Sequence, residues 1–107
     1  KLDGISIRVP TPDVSVVDFV ATLARDTSKE ELNDKFKEYA AGPMKGILLC
    51  SDEPLVSCDF KGNPHSSIVD TANTNVIGGR MVKILSWYDN EWGFSNRMCD
   101  LLAYIMK

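Results

Sequence analysis

The sequence contains 107 residues, of which 44% are hydrophobic and 25% are charged, and its formal net charge is −3. This length and composition are typical of a single small globular domain. The 12 basic residues are interleaved with 15 acidic ones, which excludes the clustered basic surface that binds nucleic-acid phosphates.

Cysteine content and hydropathy exclude further classes of protein. The three cysteines are Cys50, Cys58 and Cys99, an odd number without a C-x-x-C pair, so neither a disulfide framework nor a zinc site is expected. Reduced thiols are typical of a cytoplasmic protein, which is the location we predict. No apolar run is long enough to cross a bilayer, and we predict no contact with a membrane and no metal site.

The first quarter of the chain has the pattern of two strands. Apolar and polar residues alternate over residues 5–9, which predicts a half-buried strand that two following prolines interrupt. A second β-rich stretch covers Val14–Leu23. Its charged residue, Asp18, would need a hydrogen-bonding partner if the strand were buried.

A helix is predicted next, from Lys29 to Ala41. Ser28 followed by Glu31 has the spacing of a capping box, and the apolar residues after it recur at helical intervals. Gly42 and Pro43 are typical of a helix end.

The rest of the chain predicts short strands and a final helix. Strands are predicted over residues 47–50, 56–60, 66–70 and 81–88, with a hairpin turn at Gly78-Gly79 before the last of them. A helix is predicted over about residues 90–106, with Cys99 in its apolar stripe. This order predicts an α+β domain with a mixed, largely antiparallel sheet and helices on one face.

Residue chemistry alone leaves the function open. Arg8 could bind a phosphate or form a surface ion pair, and Asn90 could bind a ligand or cap the final helix. His65, the one histidine, lies in a predicted turn. Cys58 lacks a visible base or electropositive setting. No Gly-rich phosphate-binding motif of either familiar type is present.

Four segments carry a resemblance to a known family. Residues 86–97 read SWYDNEWGFSNR, residues 8–18 read RVPTPDVSVVD, residues 42–48 read GPMKGIL, and residues 65–70 read HSSIVD. Together they resemble, in order, the C-terminal part of phosphorylating glyceraldehyde-3-phosphate dehydrogenases. The resemblance implies that residues 1–107 are the C-terminal part of the catalytic domain, without the dinucleotide-binding domain and the nucleophile segment.

The resemblance also implies three site residues. Arg8 would contact the terminal phosphate of the substrate, glyceraldehyde 3-phosphate, since a rigid guanidinium fork suits phosphate oxygens. Asn90 would hydrogen-bond the nicotinamide carboxamide of NAD, because its side chain offers both a donor and an acceptor. Tyr88 would lie near the nicotinamide ring, or it would pack in the core beside Trp87.

The catalytic groups of the family are expected outside this chain. In the family a cysteine thiolate attacks the aldehyde, a histidine acts as base, hydride passes to NAD, and inorganic phosphate releases 1,3-bisphosphoglycerate. The resemblance places both groups before Lys1, and none of the three cysteines lies in the family's nucleophile motif. We therefore predict no catalytic residue here and no activity of the isolated chain.

Two alternatives remain open from the sequence. The chain could be a segment of erythrose-4-phosphate dehydrogenase, or a non-catalytic binding or assembly module with this domain. The resemblance further implies two partners, namely the upstream portion of the same enzyme, against which the final helix would pack, and the other subunits of a homotetramer.

Overall fold

The computed structural model describes residues 2–107, and they form five strands and two α-helices. The strands are β1 (Ser15–Thr22), β2 (Leu48–Ser51), β3 (Ser67–Asp70), β4 (Asn75–Ile77) and β5 (Met81–Tyr88). The helices are α1 (Lys29–Ala41), between β1 and β2, and α2 (Trp92–Ile105), after β5. A short 3-10 helix, Ser57–Phe60, lies between β2 and β3.

The sheet is built around β5. Strand β1 pairs with β5 antiparallel along its whole length, from Ser15 opposite Tyr88 to Thr22 opposite Met81. Strands β3 and β4 both pair antiparallel with the other edge of β5, and β2 adds parallel to β3. The predicted α+β class and the mixed, largely antiparallel sheet are confirmed.

The two faces of the sheet contribute to separate hydrophobic clusters. On one face α1 covers the sheet, because the helix residues Leu32, Phe36 and Ala40 pack against a cluster that contains Val69 and Val82. The other cluster contains the fully buried Ile68 together with Phe60 and Trp87. Ile68 and Val69 are adjacent, and successive side chains of a strand point to opposite faces.

Helix α1 has the predicted bounds. The Ser28 hydroxyl accepts a hydrogen bond from Glu31 N at 3.1 Å, which satisfies one free donor of the first turn. The Glu31 carboxylate accepts instead from the Thr27 hydroxyl, at 3.0 Å, so the return bond of the predicted capping box is replaced. At the other end, Gly42 N donates to Glu38 O at 3.0 Å and ends the helix.

Residues 5–9 do not form the predicted strand. They have no regular secondary structure, and Ile5 and Ile7 are 88% and 76% exposed. Alternation describes the side chains of a strand, whereas its backbone also needs a neighbour to bond. No strand within residues 2–107 pairs with this segment, and Pro10, Pro12 and the left-handed Val14 (φ 70°) separate it from β1.

The strand predicted over residues 56–60 is also wrong. This segment turns back on itself because Asp59 N donates to Val56 O at 3.0 Å, while Val56 N donates to the Asp59 carboxylate at 2.8 Å. Short polar side chains such as Asp compete in this way with sheet pairing. The resulting 3-10 helix carries Phe60 onto Trp87, with ring centroids 5.7 Å apart.

Two elements, β1 and α2, expose many of their apolar side chains. Most of β1 is exposed, and its Asp18 pairs with Lys83 of β5 at 2.8 Å. In α2 the one buried residue is Gly93. Cys99, predicted in the apolar stripe of this helix, is exposed.

Candidate functional site

A pocket of about 260 Å³ lies where β5 ends and α2 begins. The two elements meet at residues 88–92, so side chains from the strand end and from the first turns of the helix face the same space. Its lining residues are Ser66, Tyr88, Asp89, Asn90, Gly93, Phe94 and Arg97. Two of the three predicted site residues, Tyr88 and Asn90, are therefore in one pocket.

Asp89 holds the turn between the strand and the helix together. It is only 3% exposed. Its Oδ1 accepts hydrogen bonds from Trp92 N at 2.9 Å and Glu91 N at 3.2 Å, and its Oδ2 accepts from Gly62 N at 2.9 Å. These bonds satisfy free N–H donors at the start of α2 and join the turn to a distant segment.

The electrostatic state of Asp89 follows from these contacts. Burial acts to raise its pKa, but the hydrogen bonds from the backbone N–H groups of Gly62, Trp92 and Glu91 outweigh burial. The pKa of Asp89 therefore lies below its ordinary value. The carboxylate is charged at neutral pH and complements the positive end of the helix dipole.

Asn90 is exposed at the edge of the pocket. Its Oδ1 accepts a hydrogen bond of 3.4 Å from the Ser15 hydroxyl of β1. Because Asp89 bonds the first N–H groups of α2, Asn90 is not the cap that one interpretation of the sequence assigned to it. Its amide stays open to a ligand, and Tyr88 lies half-buried beside it.

Arg97 forms one wall of the pocket and was not singled out from the sequence. Its Nη1 donates to Gly46 O and to the Ser66 hydroxyl, both at 3.2 Å, and its Nη2 pairs with Asp100 at 2.8 Å. The Asp100 pair follows from helical i, i+3 spacing. The contacts to residues 46 and 66 join distant segments and have no local signal in the sequence.

Arg8 is exposed and is not among the residues that line the pocket. The other three arginines, Arg25, Arg80 and Arg97, each pair with a carboxylate. Within residues 2–107, Arg8 forms no ion pair. Its guanidinium is therefore available to an anionic ligand. The segment that carries Arg8, residues 5–9, does not form the strand predicted for it.

The surroundings of the cysteines and of His65 differ from those of a cysteine nucleophile paired with a histidine base. Burial raises the pKa of the Cys50 thiol, a change that disfavours the thiolate. Cys58 is exposed in the 3-10 helix. His65 Nδ1 lies 2.8 Å from the Asn63 side-chain oxygen, and burial together with Arg97 lowers the pKa of His65.

No group of three or more His, Cys, Asp or Glu side chains in residues 2–107 is arranged to hold a metal ion. Nor does this part contain a helix long and apolar enough to span a membrane.

The sequence matches a family model along most of its length. Residues 1–90 match the model described as glyceraldehyde 3-phosphate dehydrogenase, C-terminal domain. The chain belongs to this family. The family resemblance found in the four sequence segments is thereby confirmed, and so is the α+β fold expected from it.

Curated relatives extend the match to the residues of α2. A glyceraldehyde-3-phosphate dehydrogenase of Cereibacter sphaeroides is 61% identical over 94% of this chain and 30% of its own length. A relative of the same name from Zymomonas mobilis is 57% identical over 100% of the chain and 32% of its own length. The chain thus spans about a third of the length of these relatives. Neither the erythrose-4-phosphate alternative nor the non-catalytic module is favoured by these matches.

Proposed function

We propose that this chain is the C-terminal part of the catalytic domain of an NAD-dependent glyceraldehyde-3-phosphate dehydrogenase. In this proposal Arg8 binds the phosphate of glyceraldehyde 3-phosphate and Asn90 binds the nicotinamide carboxamide. The observation that carries the proposal is the open Asn90 amide at the edge of the pocket between β5 and α2. The relatives' names support the enzyme class.

The surroundings of Asn90 fit an amide ligand. Its exposed side chain offers an N–H₂ donor and a carbonyl acceptor, and these are the groups that complement a carboxamide. The buried Asp89 fixes the backbone that follows Asn90 by accepting a hydrogen bond from Trp92 N. The Ser15 hydroxyl donates to Asn90 Oδ1 at 3.4 Å. Tyr88, half-buried in the same pocket, would border the nicotinamide ring. NAD supplies the hydride acceptor when it is bound.

The state of Arg8 fits a phosphate ligand. A guanidinium without a carboxylate partner keeps all its N–H donors for phosphate oxygens, and such hydrogen bonds between charged groups are strong. Arg8 lies in a segment that precedes β1, and β1 pairs with the end of β5 through Ser15 and Tyr88. A binding role for Arg8 would therefore connect the substrate-phosphate site and the nicotinamide site through one strand pair.

The chain does not supply the reactive groups in this proposal. The raised pKa of Cys50 and the engaged ring of His65 support the expectation that no catalytic residue lies in residues 2–107. The nucleophile, its base and the dinucleotide phosphate site belong to the rest of the enzyme, and we expect the isolated chain to be inactive. Its three free thiols agree with a cytoplasmic location.

Exposed apolar surfaces would contact the rest of the enzyme and its other subunits. Strand β1 exposes four apolar side chains, Val16, Val17, Phe19 and Val20, each by between 44% and 56%. Helix α2 exposes a row that includes Met98, Leu101, Leu102 and Ile105. Such large apolar areas are unusual on a free domain and typical of an interface. We assign α2 to the upstream portion of the enzyme, and we infer a homotetramer as in the family.

A hybrid enzyme tests the proposal. It consists of the Geobacillus stearothermophilus dehydrogenase, a relative that is 55% identical over 98% of this chain, with its matching segment replaced by this chain. We expect the hybrid to reduce NAD in the presence of glyceraldehyde 3-phosphate and inorganic phosphate. The isolated chain should show no NADH formation under the same conditions.

Two results would contradict the proposal. One is NADH formation by the isolated chain, which would mean that it contains its own catalytic groups. The other is a folded, oligomeric hybrid without activity, which would mean that this chain cannot serve as the dehydrogenase's C-terminal part. Circular dichroism and size-exclusion chromatography establish the folded state of the hybrid before its activity is measured.

A further inference from the structure

Asp89 is a buried charge that touches three parts of the molecule. It follows the last residue of β5, bonds the first N–H groups of α2, and accepts from Gly62 in the turn after the 3-10 helix. The preceding residue, Tyr88, is fixed by its pairing with Ser15 of β1. Asn90 therefore lies in a short turn whose two ends are both held.

Asn90 itself has little to hold its position. It is exposed, and within residues 2–107 its side chain forms one hydrogen bond, which Ser15 donates at 3.4 Å, a long distance for a bond between an O–H donor and an oxygen. The position of its amide must therefore come mainly from its backbone. Asp89 determines that backbone, since its Oδ1 bonds to Glu91 N and Trp92 N span Asn90.

We propose that Asp89 is a positioning residue for Asn90, holding the amide where it meets the nicotinamide carboxamide. This inference rests on the proposed function, because it requires that Asn90 binds NAD. The hydrogen bond from Gly62 N to Asp89 adds a second constraint on the turn. Gly62 precedes β3 in the sequence, whereas Asp89 follows β5, so this bond joins two distant segments. This bond restricts movement of the turn relative to the Gly62 segment.

Replacement of Asp89 by asparagine retains the hydrogen bonds to the first N–H groups of α2 and removes the hydrogen bond from Gly62 N. In Asp89→Asn the side-chain oxygen can still accept from Glu91 N and Trp92 N, but the new N–H₂ group faces Gly62 N, which is also a donor. The buried clash of donors shifts the turn, and a misplacement of about 1 Å at a binding group can reduce function by up to about a hundredfold.

The test is a double-mutant cycle in the hybrid enzyme with the variants Asp89→Asn, Asn90→Ala and both together. The proposal expects Asp89→Asn to raise the KM for NAD about tenfold and to leave the KM for glyceraldehyde 3-phosphate within about twofold. In the Asn90→Ala background the same replacement should leave the KM for NAD within about twofold, because its effect acts through Asn90.

Three results would overturn the inference, and they separate it from the proposed function. If Asn90→Ala raises the KM for NAD and Asp89→Asn does not, Asp89 has no positioning role and the proposed function stands. If the two effects add fully, Asp89 acts on structure in general and not through Asn90, and the inference again fails alone. If Asn90→Ala leaves the KM for NAD unchanged, the cofactor contact and the inference fail together.

A second variant covers the possibility that Asp89→Asn does not fold. In Asp89→Ser the hydroxyl can still cap α2, since serine is a favourable capping residue, but it is too short to reach Gly62 as well. The same cycle with Asp89→Ser should give a smaller rise in the KM for NAD that also disappears in the Asn90→Ala background. A rise that persists there would overturn the inference.

Discussion

Gly93 of α2 lies against the backbone carbonyl of His65, so close that a Cβ atom on Gly93 would be 3.1 Å from that oxygen. Gly93 is the buried residue of the helix, and this contact brings α2 to the segment before β3. The His65 segment is itself held, because His65 N donates to the Asn63 side chain at 3.0 Å and Ser66 N donates to Ile47 O at 2.9 Å.

Gly93→Ala is expected to destabilise the domain. Alanine gains about 1 kcal/mol of helix propensity over glycine, whereas overpacking against fixed backbone costs about 1–3 kcal/mol. The second effect is larger here because the His65 backbone has little freedom to move. The measurement is the urea midpoint of the hybrid enzyme. Gly4→Ala is the control, since no atom lies within 4 Å of a Cβ at that position. A midpoint as high as that of the control would contradict the close packing.

Phe60→Ala should cause a larger loss of stability. Phe60 is 4% exposed and stacks on Trp87 at 5.7 Å, so its removal leaves a cavity in one of the two hydrophobic clusters. Losses of about 3–5 kcal/mol are usual for such a change. The urea midpoint, followed by tryptophan fluorescence, measures it. Phe60→Leu retains most of the buried volume and should lose less than half as much; equal losses would mean that Phe60 is not packed as described.

The stability contributed by Asp89 should depend on pH in the acid range. Its folded-state pKa is depressed, so its stabilising effect is complete above the unfolded value of about 3.9 and is lost as pH falls through the folded-state pKa. The difference in urea midpoint between the hybrid and its Asp89→Asn variant should therefore be constant from about pH 7 to 5 and should shrink below about pH 4.

An exposed carboxylate in α1 provides the control for this pH series. Asp34→Asn removes the same charge from a residue that is exposed to solvent. A change in the Asp34→Asn difference equal to that of Asp89→Asn would show that net charge alone produces the effect. A difference for Asp89→Asn that grows at low pH would contradict the direction of the pKa shift.

Local sequence signals predicted those elements whose causes are local. The bounds of α1 follow from Ser28 and Gly42, which act within one turn of the helix. The hairpin turn at Gly78-Gly79 has the two positive φ angles, 58° and 73°, that glycine adopts easily, and it joins β4 to β5. Strand β4 itself was not predicted, since three residues carry too little pattern.

The wrong and missing predictions concern features that depend on partners distant in the sequence. The alternation of residues 5–9 describes a strand, but no neighbour within residues 2–107 pairs with it. The same limit applies to the candidate site. Asn90 and Tyr88 were expected from the family resemblance, whereas the contact of Asp89 with Gly62 and those of Arg97 with residues 46 and 66 join segments remote in sequence. No periodicity or local motif encodes such contacts.

The proposed function requires two separate binding groups in this chain, and steady-state kinetics of the hybrid enzyme measure the contribution of each. Arg8→Ala and Asn90→Ala are each compared with the unsubstituted hybrid, using glyceraldehyde 3-phosphate, unphosphorylated glyceraldehyde and NAD as varied substrates. Arg8→Ala should lower kcat/KM for glyceraldehyde 3-phosphate by about a hundredfold, leaving unphosphorylated glyceraldehyde within about twofold. Asn90→Ala should raise the KM for NAD about tenfold. Equal losses for both aldehydes in Arg8→Ala, together with an unchanged KM for NAD in Asn90→Ala, would contradict the proposed roles of Arg8 and Asn90.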